Sequence, residues 1–175
     1  MKKIYLLLAF LSVFLVAKAQ KGDNKLQLAG QVGFPTSDLA DAAKTGFGFA
    51  AKGMYGIGLR NDHVTLEAGY NRFSVKEMEK GLSGNYSSIP IYTGYRYTIG
   101  NFNLEPQAGI AFNKVSAKSM SEAKVSSKKT SFAWSTAVSY SVKFLELGVR
   151  YQSVEIKDND NLTFVSVRLA YNFSL

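Results

Sequence analysis

The stretch VTLEAGYN at residues 64–71 alternates between larger apolar side chains and polar or small ones. A period of two is typical of a β-strand whose two faces meet different surroundings. The same alternation recurs in seven further stretches, at residues 26–34, 46–59, 88–99, 102–113, 132–140, 145–152 and 164–173. The sequence therefore predicts eight strands of about ten residues, the length that crosses a bilayer at a tilt.

The connections between these strands alternate in length. Long polar connections are predicted at residues 35–44, 74–87, 114–129 and 153–161, and short ones at 60–63, at 100–101 and near Lys143. In an antiparallel barrel this alternation places the long loops at one end and the tight turns at the other, as in outer-membrane barrels. We therefore predict an all-β fold, an eight-stranded antiparallel up-and-down transmembrane β-barrel with short periplasmic turns and long extracellular loops.

The composition of the polar face indicates that this face lines the barrel. It carries nine of the fifteen glycines, at positions 33, 46, 48, 56, 58, 69, 94, 109 and 148. Glycine weakens a strand, but it fits a narrow lumen. Large aromatic residues near the strand ends of the apolar face resemble the interfacial girdles of membrane barrels. The alternative is a soluble lipocalin-like barrel, in which the apolar face would line a ligand cavity.

Residues 1–19 have the features of a secretory signal peptide. A positively charged start and an apolar stretch at residues 4–16 precede small residues that fit a cleavage site after Ala19. We expect export through the general secretory pathway, followed by a barrel domain at residues 20–175.

The composition also excludes several kinds of site. The chain of 175 residues has a net charge of +8, no cysteine and a single histidine, His63. It can therefore form no disulfide, no thiolate zinc site and no site that needs two imidazoles. His63 falls in a predicted short turn on the periplasmic side, without a serine and a carboxylate placed to complete a triad. We predict no catalytic residue, no metal site and no cofactor.

Seven charged residues fall on the face predicted to line the lumen. They are Lys52, Glu67, Arg96, Glu105, Glu146, Arg150 and Arg168. Because an unpaired buried charge is costly, we expect these residues to pair. The two-residue turn Gly100-Asn101 sets Arg96 directly opposite Glu105, which predicts a buried salt bridge. These charges would either plug a structural core or gate a narrow pore.

The predicted connection at residues 114–129 is strongly basic. It carries Lys114, Lys118, Lys124, Lys128 and Lys129 against a single acidic residue, Glu122. One interpretation is a solvated loop, and the other is a contact with lipopolysaccharide phosphates or another anionic partner. The second interpretation predicts binding that weakens with salt.

The whole mature chain resembles the small bacterial outer-membrane β-barrels, with the general form of the eight-stranded OmpA and OmpX barrels. The segment SIPIYTGYRY at residues 88–97 resembles the strand of the PorT-like outer-membrane barrel family that begins apolar-Pro-apolar and ends basic-aromatic. The last strand, at residues 165–173, is similar to the C-terminal assembly signal of these barrels, although Ser174 and Leu175 follow it. The resemblance implies an outer-membrane location, insertion by the barrel assembly machinery and a nonenzymatic role.

We accordingly expect a structural or interaction role through the extracellular loops. The expected partners are outer-membrane lipid, including lipopolysaccharide, and the assembly machinery. We expect no nucleic-acid partner and a monomeric protein. The alternatives are a narrow charge-gated pore, a secretion-linked accessory of the PorT-like kind, a lipid A-modifying enzyme and the soluble ligand-binding barrel.

Overall fold

The computed structural model describes residues 23–37, 39–40, 43–57, 61–75, 83–118, 124–155 and 161–175. The predicted signal peptide lies outside these ranges, so its cleavage after Ala19 stays a prediction. Within these ranges, no helix combines the length and the apolar character needed to cross a membrane.

Eight antiparallel strands form one closed barrel in which each strand pairs with its neighbours in the chain. The strands are β1 (Lys25–Thr36), β2 (Gly46–Ile57), β3 (Asp62–Ser74), β4 (Ser83–Ile99), β5 (Phe102–Lys118), β6 (Lys124–Val142), β7 (Leu145–Glu155) and β8 (Asn161–Ser174). The barrel closes where β1 pairs with β8, from Lys25 opposite Ser174 to Thr36 opposite Thr163. The predicted all-β, up-and-down barrel is therefore confirmed.

The two faces of the strands are sorted in the opposite way to those of a soluble protein. Phe49, Leu66 and Ile99 point outward and are 61–63% exposed, whereas the inward-facing Gln27 and Thr65 are fully buried. A membrane barrel shows this arrangement because lipid solvates its apolar face and side chains fill its lumen. A soluble barrel would need the reverse arrangement, so the structure does not support that alternative.

Two of the long loops predicted from the sequence are wrong in extent. β4 already begins at Ser83, and β5 and β6 pair as far as Lys118 opposite Lys124. Most of the predicted loop at 114–129 is therefore paired strand. The strands stay hydrogen-bonded beyond the last apolar residues of their outward face. We interpret this part of the sheet as lying outside the bilayer, where outward side chains need not be apolar.

The tight turns lie at the other end of the barrel, as predicted. Gly100 has a φ of +61°, and Lys143, in the turn between β6 and β7, has a φ of +55°. Glycine adopts this left-handed conformation freely, but a residue with a Cβ does so at a cost.

Replacing Lys143 with glycine is expected to stabilise the barrel by about 0.5–1 kcal/mol, because the relief of the left-handed strain exceeds the added freedom of the unfolded chain. Urea unfolding in detergent, followed by the mobility of unheated samples on denaturing gels, measures the change. Asn101→Gly is the matched control in the other tight turn. Asn101 has no positive φ to relieve, so this change should lower stability by adding freedom to the unfolded chain. Equal effects of the two substitutions on stability would contradict this account.

The character of the lumen changes between the extracellular and the periplasmic end. The outer layer is apolar, with Phe73, Tyr86 and Phe164 packed against Leu39. Phe73 fits closely there, since a Cβ on Gly46 would collide with its ring. The middle layer is charged, and the periplasmic end is an open cavity of about 480 Å³.

Candidate functional site

Glu67 on β3 is the centre of the charged middle layer. Arg150 donates to it from both terminal nitrogens, with Nη2 at 3.0 Å from Oε2. Arg168 donates from Nη1 to Oε1 at 3.0 Å, and the ammonium of Lys52 lies 3.3 Å from Oε2. One carboxylate therefore meets three cations that come from β2, β7 and β8.

Arg96 on β4 organises the other half of the layer. Its Nη2 lies 2.7 Å from Oε2 of Glu105, and its Nη1 lies 2.7 Å from Oε2 of Glu146. The salt bridge expected from the Gly100-Asn101 turn is thus present. Tyr97 pairs with Leu104 and Gly94 pairs with Gln107, and this register places Arg96 directly opposite Glu105.

Lys52 joins the two halves. Its Nζ lies 2.8 Å from Glu105 Oε2 as well as 3.3 Å from Glu67 Oε2. The structure therefore brings all seven charged lumen residues named from the sequence into one network. Each of them is at most 5% exposed.

Neutral side chains complete this network, and the sequence did not single them out. Gln107 donates to Glu105 at 2.8 Å and accepts from Arg150 Nη2 at 3.0 Å. Thr65 donates to Glu105 at 3.1 Å, and Gln27 accepts from Arg168 at 3.1 Å. All of them lie on the inward face of their strands. The alternation of apolar and polar residues along each strand was therefore the signal that could have identified them.

Side chains fill the lumen across the described residues above the periplasmic cavity. Tyr92 and Ala111 are fully buried beneath the outer apolar layer, together with Ala133 and Val154. The outer apolar layer lies above these four residues, and the charged layer lies below them.

His63 lies elsewhere than the sequence predicted. It is the second residue of β3 and not a turn residue, because β2 and β3 stay paired as far as Ile57 opposite Asp62. The ring is 3% exposed, and its Nε2 lies 3.0 Å from the carbonyl oxygen of Asp23. No cluster of metal-binding side chains occurs among the described residues.

The basic segment forms part of a sheet that extends beyond the bilayer. Lys114 on β5 lies directly opposite Lys128 on β6, and Lys118 lies opposite Lys124. Lys129 pairs with Asn113 and falls on the other face of the sheet. The five lysines are therefore strand residues and not loop residues.

Register connects Lys114 and Lys128 to a third cation, which the sequence did not reveal. Arg72 on β3 pairs with Ser87 on β4, Ser87 pairs with Lys114, and Lys114 pairs with Lys128. Arg72, Lys114 and Lys128 are all exposed and lie along one row of paired positions on the outside of the barrel. We call these three residues the cationic row.

An apolar wall lies directly below this row. Ile89 pairs with Phe112, and Phe112 pairs with Thr130. Phe112 is the outward-facing residue of β5 next to Lys114, on the side of the membrane. Ile89 is 47% and Phe112 44% exposed. A surface cavity of about 370 Å³ is lined by these two side chains together with Lys114, Lys128 and Lys129.

The family model described as "Outer membrane protein beta-barrel domain" matches residues 6–173. No match was found among curated protein sequences.

Several solved outer-membrane proteins are similar in structure. Ail, the attachment invasion locus protein of Yersinia pestis, crystallised with the heparin analogue sucrose octasulfate, is 18% identical with a TM-score of 0.66 over 88% of this chain and 100% of that one. Neisserial surface protein A is 18% identical with a TM-score of 0.54 over 85% and 94% of the two chains. The N-terminal β-barrel domain of Pseudomonas aeruginosa OprF is 14% identical with a TM-score of 0.54 over 87% and 100%. Such identities support the fold alone.

Proposed function

Because this chain belongs to the outer membrane protein beta-barrel domain family, and is thus an outer-membrane β-barrel, we propose that it acts without catalysis by binding phosphate groups of lipopolysaccharide. The observation that carries the proposal is the cationic row of Arg72, Lys114 and Lys128, set above an apolar wall. Such a surface suits an amphiphile whose charged headgroup meets the row while its acyl chains lie along the wall.

The pairing of like charges supports an anionic ligand. Lys114 and Lys128 are directly opposite each other on neighbouring strands. Like charges in this position destabilise a sheet, because the side chains of such a pair lie close together. A phosphate between the two ammonium groups would turn this repulsion into attraction.

A similar barrel offers independent support. The crystal structure of Ail holds sucrose octasulfate, a compact polyanion. That complex shows that a barrel of this fold can bind densely charged anions. The proposal takes the same class of chemistry to the surface of the present chain.

The experiment is a titration of lipopolysaccharide against the protein in nanodiscs of zwitterionic lipid. Replacing both Lys114 and Lys128 with glutamine should weaken binding by about 2 kcal/mol, roughly 30-fold, at about 1 kcal/mol for each lysine near an anionic surface. The wild-type affinity should fall as salt is added, since the attraction is between charges. Dephosphorylated lipid A should bind the wild type as weakly as lipopolysaccharide binds the double variant.

Lys143→Gln is the control, because it removes an equal charge from an exposed turn at the other end of the barrel, away from the cavity beside the cationic row. It should leave the affinity almost unchanged. If Lys143→Gln weakened binding as much as replacing a lysine of the row, the attraction would be a general effect of charge. If lipopolysaccharide bound the double variant as tightly as the wild type, the proposal would be wrong.

A further inference from the structure

The charged layer of the lumen carries more positive than negative charge. It contains four cations, Lys52, Arg96, Arg150 and Arg168, and three carboxylates, Glu67, Glu105 and Glu146. In the described part of the chain no other acidic side chain bonds to this layer, and the nearby Asp62 instead accepts from Tyr95 and from the backbone N–H of Thr98. The layer therefore holds one uncompensated positive charge in a site shielded from water, which is costly.

The excess charge is concentrated around Glu67. This carboxylate forms salt bridges with Lys52, Arg150 and Arg168, whereas Arg96 is the one cation in the described part of the chain that bonds to Glu146. Arg150 and Arg168 each also bury an Nε–H group that has no hydrogen-bond partner. Both guanidinium groups are at least nine-tenths buried, at 2% and 5% exposure. Two donors and one positive charge are thus left over in the same region.

A small cavity lies beside this cluster. It measures about 10 Å³ and is lined by all four cations together with Glu105 and Glu146. A polar cavity of that size is about the smallest that holds a single water, so a monatomic anion would enter it with a small outward shift of the flexible side chains around it. Both carboxylates in its lining are bound by Arg96, and in the described part of the chain the salt bridges of Arg150 and Arg168 go to Glu67 instead.

We infer that this cavity binds one small monovalent anion, of the size of chloride. The anion neutralises the excess charge of the layer and accepts hydrogen bonds that Arg150 and Arg168 do not otherwise make. Its role is to stabilise the closed lumen. The inference is independent of the lipid-binding row, which lies on the outside of the barrel.

The test compares urea unfolding of the detergent-solubilised protein in sodium chloride and in sodium gluconate at equal ionic strength. Gluconate is too large for the cavity. With a dissociation constant of about 0.1 M, about 0.5 M chloride should lower the unfolding equilibrium constant roughly sixfold relative to gluconate. Lys52→Met removes the excess charge but keeps both Nε–H donors, and it should abolish the difference between the salts. Lys143→Met, which removes an exposed cation from a periplasmic turn, should keep it.

Crystals of the wild type grown in sodium bromide provide a second measurement that needs no variant. An anomalous bromide peak beside Arg150 and Arg168 is the expected result. Equal stability in chloride and gluconate would overturn the inference, as would a chloride effect that survives in Lys52→Met. Bromide found only on the outer surface would identify an adventitious ion only and would overturn it as well.

Discussion

Glu67→Gln is expected to lower the free energy of unfolding by about 3–5 kcal/mol, the usual cost of removing one partner from a buried ionic network. The substitution keeps the size of the side chain but takes its charge away from Lys52, Arg150 and Arg168. The lumen would then hold four cations and two carboxylates. Repulsion between the two arginines, which share this carboxylate, should supply much of the loss.

Lys52→Met is the matched substitution, since it removes a positive charge from the same layer. We expect it to lower the free energy of unfolding much less than Glu67→Gln does. Without Lys52, Glu67 keeps its bonds to Arg150 and Arg168, and Glu105 keeps Arg96. Three cations then face three carboxylates. The asymmetry between the two variants therefore reports the sign of the charge imbalance and not merely the presence of a salt bridge.

Both variants can be measured by urea unfolding in detergent micelles, with the fluorescence of Trp134 as the signal. Trp134 is the single tryptophan of the chain and lies on the lipid-facing side of β6, away from the substituted residues. Equal losses for Glu67→Gln and Lys52→Met would mean that the lumen is electrically balanced. A larger loss for Lys52→Met would mean that the excess charge is negative.

The fold was largely predictable because a membrane barrel imposes its pattern locally. Each strand must show apolar side chains to lipid and small or polar ones to the lumen, so the eight strands and their order follow from the alternation alone. The turn at Gly100-Asn101 even predicts the register that joins Arg96 to Glu105. Where the strands leave the bilayer this constraint ends, and the strand residues around Lys114 and Lys128 then look like a loop.

The rest of the site was not predictable because it depends on contacts across the barrel. Glu67 is separated from Arg150 by 83 positions and from Arg168 by 101. Their meeting depends on how the strands are staggered when the barrel closes, which no local pattern reveals. Arg72 joined the cationic row for a similar reason, since its place follows from three successive strand registers. His63 was misplaced because the sequence does not show that β3 starts at Asp62.

The second large loss of stability is expected from a substitution in the outer apolar layer. Phe164→Ala is expected to lower the free energy of unfolding by about 3–5 kcal/mol, because it leaves a cavity among side chains that cannot close over it. The ring is 1% exposed and packs edge-on against Phe73 with centroids 4.9 Å apart. Phe132→Ala is the control. Phe132 points to lipid and is 47% exposed, so acyl chains can fill the space it leaves and the loss should be smaller.

The same variant separates a sealed lumen from a gated pore. In planar bilayers neither the wild type nor Phe164→Ala should give single-channel currents, because the charged layer beneath the aromatic rings still closes the section. Current through the wild type would favour the charge-gated pore over a plugged core. Current through Phe164→Ala alone would show that the aromatic layer is the seal and that the ionic network beneath it is permeable. Because the aromatic layer and the ionic network fill successive sections of one lumen, we expect each to suffice as a barrier, and stability, not conduction, to be what Phe164 controls.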